Sequence, residues 1–132
     1  MATFYTATEA VTFSDNTGLP LVSTTFTYVT DSESGIDDTV ASMATNMEYD
    51  LPIVVAAVHC LLMWSSEAVT VLTNSSSVPQ DTIHLVANKP LVWDTDMVFA
   101  IPFVGNVTKL FVSNAGSFPA SFKVRVFSKL TP

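Results

Sequence analysis

The sequence predicts an all-β fold, a jelly-roll-like antiparallel β-sandwich with one short helix, and three observations carry that reading. Valine is the commonest apolar residue and stands among many Ser and Thr, the composition of pleated, half-buried surfaces. Short apolar runs alternate with polar residues at a period of two. Gly, Pro and Asn punctuate those runs at intervals of roughly eight to twelve residues, as in two-sheet β domains.

The elements follow in order. Residues 4–13 supply one or two strands, and Asp15-Asn16-Thr17-Gly18 is a turn. Residues 21–29 alternate, with Val22, Phe26 and Tyr28 on one face and Ser23, Thr25 and Thr27 on the other. Residues 31–35 read as an exposed acidic loop. Ile36, Val40, Met43 and Met47 then recur at helical spacing, with Asp37 and Asp38 near the start, where a helix dipole favours them. This predicts one helix over 37–48, which Pro52 stops. Residues 53–64 are continuously apolar and read as a central strand buried on both faces, with a buried helix as the alternative that periodicity alone leaves open. Val69, Val71 and Thr73 alternate with Thr70 and Leu72. Strands are expected at 82–87, with Ile83 and Leu85 on one face, at 91–93 and at 108–113, and the run 97–103 is apolar and ends at Pro102 and Gly105. The last, 120–130, has Phe122, Val124, Val126 and Leu130 inside and Lys123, Arg125 and Lys129 outside with Phe127 among them. No repeat or linker divides the chain, so 1–132 is read as a single domain, of a size that buries a core without metal or disulfide support.

Charge is the most informative feature for function. Residues 1–88 hold ten carboxylates and no Lys or Arg; residues 89–132 hold all five basic residues and only Asp94 and Asp96 as acids. With 48% hydrophobic and 13% charged residues, the chain either has a large core or expects neighbours to cover part of its surface. A net charge of −7 argues against nucleic-acid binding, which needs clustered cations. Residues 1–5 lack a basic and an apolar signal region. The longest apolar run, 51–64, is interrupted by Pro52 and His59 and is too short to span a bilayer.

Chemical motifs are sparse. Cys60 is the single cysteine and lies in an apolar run, the setting of an inert buried thiol. His59 reads as a core histidine, and His84 as facing solvent or a subunit. Neither stands in a metal-ligand spacing. No Gly-x-Ser-x-Gly elbow or glycine-rich phosphate loop is present. Four carboxylates in residues 31–38 suggest calcium, but Ile36 occupies the position where the EF-hand loop needs glycine. Asn74 and Asn106 match the glycosylation pattern and read as turn chemistry. Trp64 and Trp93 are candidate sugar-stacking platforms, for which core packing is the competing role. No catalytic, cofactor or metal residue is assigned, and no cofactor is expected. The candidate interface is Lys123, Arg125, Phe127 and Lys129 with Lys109, meeting an acidic surface of a partner or of another copy.

From Val69 onward the chain resembles small virion structural proteins of tailed phages. The residues that carry this are the threonine-rich run 69–73, the polar loop Asn74-Ser75-Ser76-Ser77-Val78-Pro79-Gln80, the runs 85–93 and 106–114, and the basic last strand that leads to Leu130-Thr131-Pro132. The resemblance implies a compact β-sandwich that decorates or cements a capsid and braces coat subunits against internal DNA pressure. The implied partners are a phage coat protein, copies of the chain itself in a homo-oligomer, or both. The implied location is the virion, assembled in the host cytoplasm. A carbohydrate-binding sandwich on a host-recognition appendage is the alternative.

Overall fold

Runs that alternate by two become strands throughout the computed structural model, which describes residues 4–14, 17–18 and 20–130. The strands are β1 (Tyr5–Ser14), β2 (Pro20–Thr30), β3 (Ser32–Val40), β4 (Ala44–Ile53), β5 (Val58–Ser65), β6 (Val69–Thr73), β7 (Thr82–Leu85), β8 (Leu91–Asp94), β9 (Val107–Asn114) and β10 (Ala120–Ser128). A single 3₁₀ turn, Val55–Ala57, joins β4 to β5. Two antiparallel four-stranded sheets, β3-β10-β5-β8 and β4-β9-β6-β7, pack together as a β-sandwich. The pairs are nested: β3 with β10, β4 with β9, β5 with β8, β6 with β7. The chain from β3 onward is thus one long hairpin with its tip between β6 and β7. It is rolled so that successive rungs enter alternate sheets.

The inward positions of this pattern meet in one core. Val124 and Val126 of β10, Leu61 and Met63 of β5, Leu110 and Val112 of β9 and Val71 of β6 are fully or almost fully buried, together with Phe122. Each such side chain contributes about 1.5–3 kcal/mol by leaving water. The Tyr49 ring lies 6.1 Å from Phe122, and its hydroxyl donates to Asp38 Oδ2 at 2.7 Å, closing the edge between β3 and β4.

Four expectations are corrected. The helix over 37–48 does not form: β3 runs to Val40, a short turn follows, and β4 begins at Ala44. Ile36 and Val40, four apart, satisfy a strand's period of two as well as a helix's, and both point into the core. The acidic loop 31–35 lies mostly within β3, which pairs with β10 along its whole length. Leu130 is exposed, because β10 ends at Ser128, where the register slips against β5. Residues 53–64 are split by the 3₁₀ turn: Ile53 ends β4, an edge strand, and β5 is the part of the run that lies inside a sheet. Part of the turn expected at 15–18 lies outside the described residues. Among the described residues no helix is long and apolar enough to cross a membrane.

β1 and β2 stand apart as a two-stranded antiparallel sheet, with Tyr5 opposite Thr30 and Glu9 opposite Phe26. This hairpin lies against the outer face of the β3-β10-β5-β8 sheet, over β5, β8 and β10.

Candidate interaction surfaces and the cleft under the hairpin

The register brings the chain's acidic and basic halves together within one molecule. In β10, Lys123 stands opposite Asp37, Arg125 opposite Gly35 and Phe127 opposite Glu33. Arg125 lies across β3: its Nη1 donates to the carbonyls of Ile36 (3.1 Å) and Val124 (2.8 Å), and Glu33 and Asp37 flank it at 3.8 and 3.7 Å. The close approach requires Gly35, since a Cβ there would run into the Val124 carbonyl and come within 2.8 Å of the guanidinium. Lys123 sits 5.8 Å from the centre of the Trp64 ring, a cation–π distance.

Lys109 is on β9, in the opposite sheet. It pairs with Glu48 at 2.5 Å and Asp50 at 3.7 Å, and these partners hold its pKa above the ordinary lysine value. Lys129 is exposed just beyond β10. The five expected interface residues therefore do not form one patch. Lys123, Arg125 and Phe127 share a face, Lys109 is on the other sheet, and Arg125 and Lys109 meet carboxylates of their own chain. Phe127 is half-buried and lines the cleft under the hairpin.

That cleft has a volume of about 340 Å³. Its floor is Cys60, Leu61, Leu62, Val92 and Phe127, its wall is residues 6–10 of β1, and Arg125 closes one side. Cys60 is buried, and burial, followed by the charges of Glu9, Asp94 and Asp96, pushes its thiol up to about 12, so it stays an unreactive thiol at neutral pH. Glu9 meets Asp94 at the edge of the cleft. Burial first, then a hydrogen bond with Asp94 and the Asp94 charge, raise Glu9 to about 7. The Tyr28 hydroxyl donates to Asp96 Oδ2 at 3.3 Å, and burial together with Asp94 and Asp96 raises its pKa well above the usual tyrosine value.

A pH effect follows. A carboxyl whose pKa is raised in the seated hairpin supports seating below its ordinary value of 4.5 and loses that support as pH rises through about 7. Hydrogen exchange in β1 and β2, corrected for intrinsic rates, should accelerate between pH 5.5 and 8.5. Glu9→Gln should flatten that dependence. Equal pH dependence in both proteins contradicts the assignment.

The remaining candidates are placed as follows. Trp93 is buried in the core and its Nε1 donates to the Phe99 carbonyl at 2.9 Å, so its ring faces are not open to a sugar. Trp64 is half-buried beneath Lys123. His84 is exposed and shares a 3.3 Å hydrogen bond with Thr70; His59 is half-buried, at the margin of the core and not within it. The acids of 31–38 are engaged by groups of their own chain: Asp31 Oδ1 accepts from the Leu130 amide, Glu33 and Asp37 both flank Arg125, and Asp38 accepts from Tyr49. Among the described residues no group of three His, Cys, Asp or Glu converges to hold a metal. Asn74 is turn chemistry: its Oδ1 accepts from the Thr108 amide at 2.7 Å and its Nδ2 donates to the Asn106 carbonyl at 3.0 Å.

A surface that the sequence reading missed lies at one end of the sandwich. Antiparallel order sends the loops after β3, β5, β7 and β9 to the same end. Two of them are bound together by Asn114, which is fully buried. Its Nδ2 donates to the carbonyls of Val40, Ala41 and Phe118, and its Oδ1 accepts from the Gly116 amide. The Met43 amide donates to the Gly116 carbonyl at 3.2 Å. On these joined loops Met43 is 71% exposed and Phe118 66% exposed. Met43 also sits at φ 62°, in the left-handed region, whereas the other described non-glycine residues there are asparagines, which tolerate it. Val86, on the loop after β7, is exposed at the same end. The only sequence signal for this surface was Met43 itself, and it was absorbed into the helical pattern.

No family model matches the sequence, and no curated protein or solved structure matches it. The fold and its surfaces define an all-β sandwich with a hairpin laid on one sheet and an apolar loop end.

Proposed function

We propose that the chain is a non-enzymatic structural protein of a phage virion, a capsid decoration or cement protein that braces coat subunits by burying its loop-end surface against them or against its own copies. The observation that carries this reading is Met43. A methionine held at φ 62° carries backbone strain while its side chain lies in water, and backbone strain of this kind gathers at functional surfaces. Beside it, Phe118 is kept in place by Asn114, so the two apolar side chains are displayed from rigid loops. Exposed apolar side chains held together mark a contact surface. The nested strand order supports the same reading: it is that of a jelly roll, an architecture found in capsid proteins and also in lectins and cupins. Fold alone does not choose among those, and the resemblance of residues 69–132 to phage virion proteins supports the first. Charge complementarity has a smaller part than the sequence suggests, because Arg125 and Lys109 are paired within the chain.

Two experiments test this. Mass spectrometry of density-purified phage particles should find the chain at a stoichiometric level; its presence only among unassembled proteins contradicts the virion role. Met43→Gly should keep or slightly raise thermal stability, since relief of the left-handed strain is worth about 1 kcal/mol, while weakening attachment to the particle. Attachment unchanged in a Met43→Gly, Phe118→Ser double variant would remove the loop end from the proposal.

A further inference from the structure

The hairpin is joined to the sandwich by one residue. β2 ends at Thr30, β3 begins at Ser32, and only Asp31 lies between. The sandwich side of this joint is pinned: the Asp31 amide donates to the Ser128 carbonyl at 3.2 Å, and Asp31 Oδ1 accepts from the Leu130 amide at 2.7 Å. The hairpin side is closed on itself, with Thr30 Oγ1 donating to the Tyr5 carbonyl at 3.2 Å. Asp31 is therefore the covalent joint between hairpin and sandwich, which otherwise meet through the cleft and the Tyr28–Asp96 hydrogen bond.

The hairpin is long for what it covers. β1 and β2 have 10 and 11 residues. At about 3.4 Å per residue the arm reaches roughly 35 Å. Tyr5, Ala7 and Glu9 share one face with Thr30, Tyr28 and Phe26. At the base, Ala7 and Thr30 are buried and Tyr28 is half-buried, while Phe26, further out on the same face, is 47% exposed. The cleft remains open between the arm and the floor of Leu62, Val92 and Phe127. A two-stranded hairpin alone in water is marginal, so this arm keeps its form by lying on a sheet. If it leaves its own sheet, that apolar floor needs another cover.

We propose that the β1–β2 hairpin is an exchangeable arm, which in the assembled protein lies on the outer face of the β3-β10-β5-β8 sheet of a second copy. The occupant of that face is a second copy because the cover is already encoded in this chain. Every contact between arm and sheet can be remade in trans without new complementarity, the low-cost route by which identical elements exchange. A one-residue joint favours this, since short hinges hold a folded-back arm under constraint and release it when the arm extends. The inference rests on the self-assembly part of the proposed function and not on the virion.

The test is a cross-link. Thr8→Cys and Leu62→Cys, on the wall and floor of the cleft, are introduced together with Cys60→Ser. The chain is refolded from denaturant at roughly millimolar concentration, the scale on which a tethered partner is outcompeted, and treated with a short bismaleimide. Covalent dimers and larger species on a denaturing gel are the expected result. A four-residue Gly-Ser insertion after Asp31 should reduce them roughly fivefold or more, because a longer hinge lets the arm fold back. Only intrachain cross-links, at every concentration, overturn the proposal. Oligomers by light scattering whose cross-links are all intrachain also overturn it, while leaving self-assembly through the loop end intact.

Discussion

Replacing Asn114 with alanine should cost the fold about 4 kcal/mol and lower Tm by roughly 10–20 °C. The side chain is fully buried and makes four hydrogen bonds to backbone groups, three to carbonyls and one from an amide. Its removal strands those groups where little water can reach them, and an unsatisfied buried group costs about 1–3 kcal/mol. Asn114→Asp discriminates the cause. Aspartate keeps the shape and the acceptor but has no N–H to donate, and it adds a buried charge. It should be at least as damaging as alanine. If Asn114→Asp is tolerated in a thermal melt, packing and not donation is what Asn114 supplies. Both variants should also loosen the loops that carry Met43 and Phe118, so attachment should fall before the fold does.

Gly35→Ala should cost about 2–3 kcal/mol, the scale of forcing added atoms into a filled site. The new Cβ would meet the Val124 carbonyl and the Arg125 guanidinium together. One is ladder backbone and cannot move without breaking the β3–β10 pairing. Chemical denaturation of Gly35→Ala and of Gly35→Ala, Arg125→Ala separates the two contacts. Partial recovery in the double variant assigns the clash to the guanidinium; no recovery assigns it to the backbone. A Gly35→Ala protein as stable as the parent contradicts the close approach.

These two residues also show what was legible in the sequence. The strands with clean alternation were readable: β6, β9 and β10 lie close to where Val69-Thr70-Val71, residues 108–113 and Phe122-Lys123-Val124 point. There, burial on one face and polarity on the other leave one period that fits. The 37–48 stretch was misread because Ile36 and Val40 suit both periods, while Met43 belongs to a strained turn and Met47 to the next strand. Local pattern cannot see the left-handed backbone at Met43, since methionine gives no sign of it. The charge polarity was readable as a pairing, but its address was not. Strand order decides whether an acidic first half meets a basic last third in the same chain or in another, and the nested order of β3 with β10 and β4 with β9 puts the partners in one chain. Phe127, expected among exposed cations, is covered because a hairpin more than ninety residues earlier returns to lie over it. Asn114 gives no local sign of its role, which comes from two loops that meet only after rolling.

On the proposed function, this sandwich works by burying an apolar loop end, with Arg125 and Lys109 paired to carboxylates of their own chain. Light scattering of the purified protein at low and high salt, beside the Met43→Gly, Phe118→Ser variant, decides whether it does. The expected result is an assembly whose mass is unchanged by salt, because buried apolar contacts are not screened as exposed charge pairs are, and a variant of smaller mass with an undiminished melting temperature. A protein that dissociates on adding salt, or a variant that assembles as well as the parent, would contradict it.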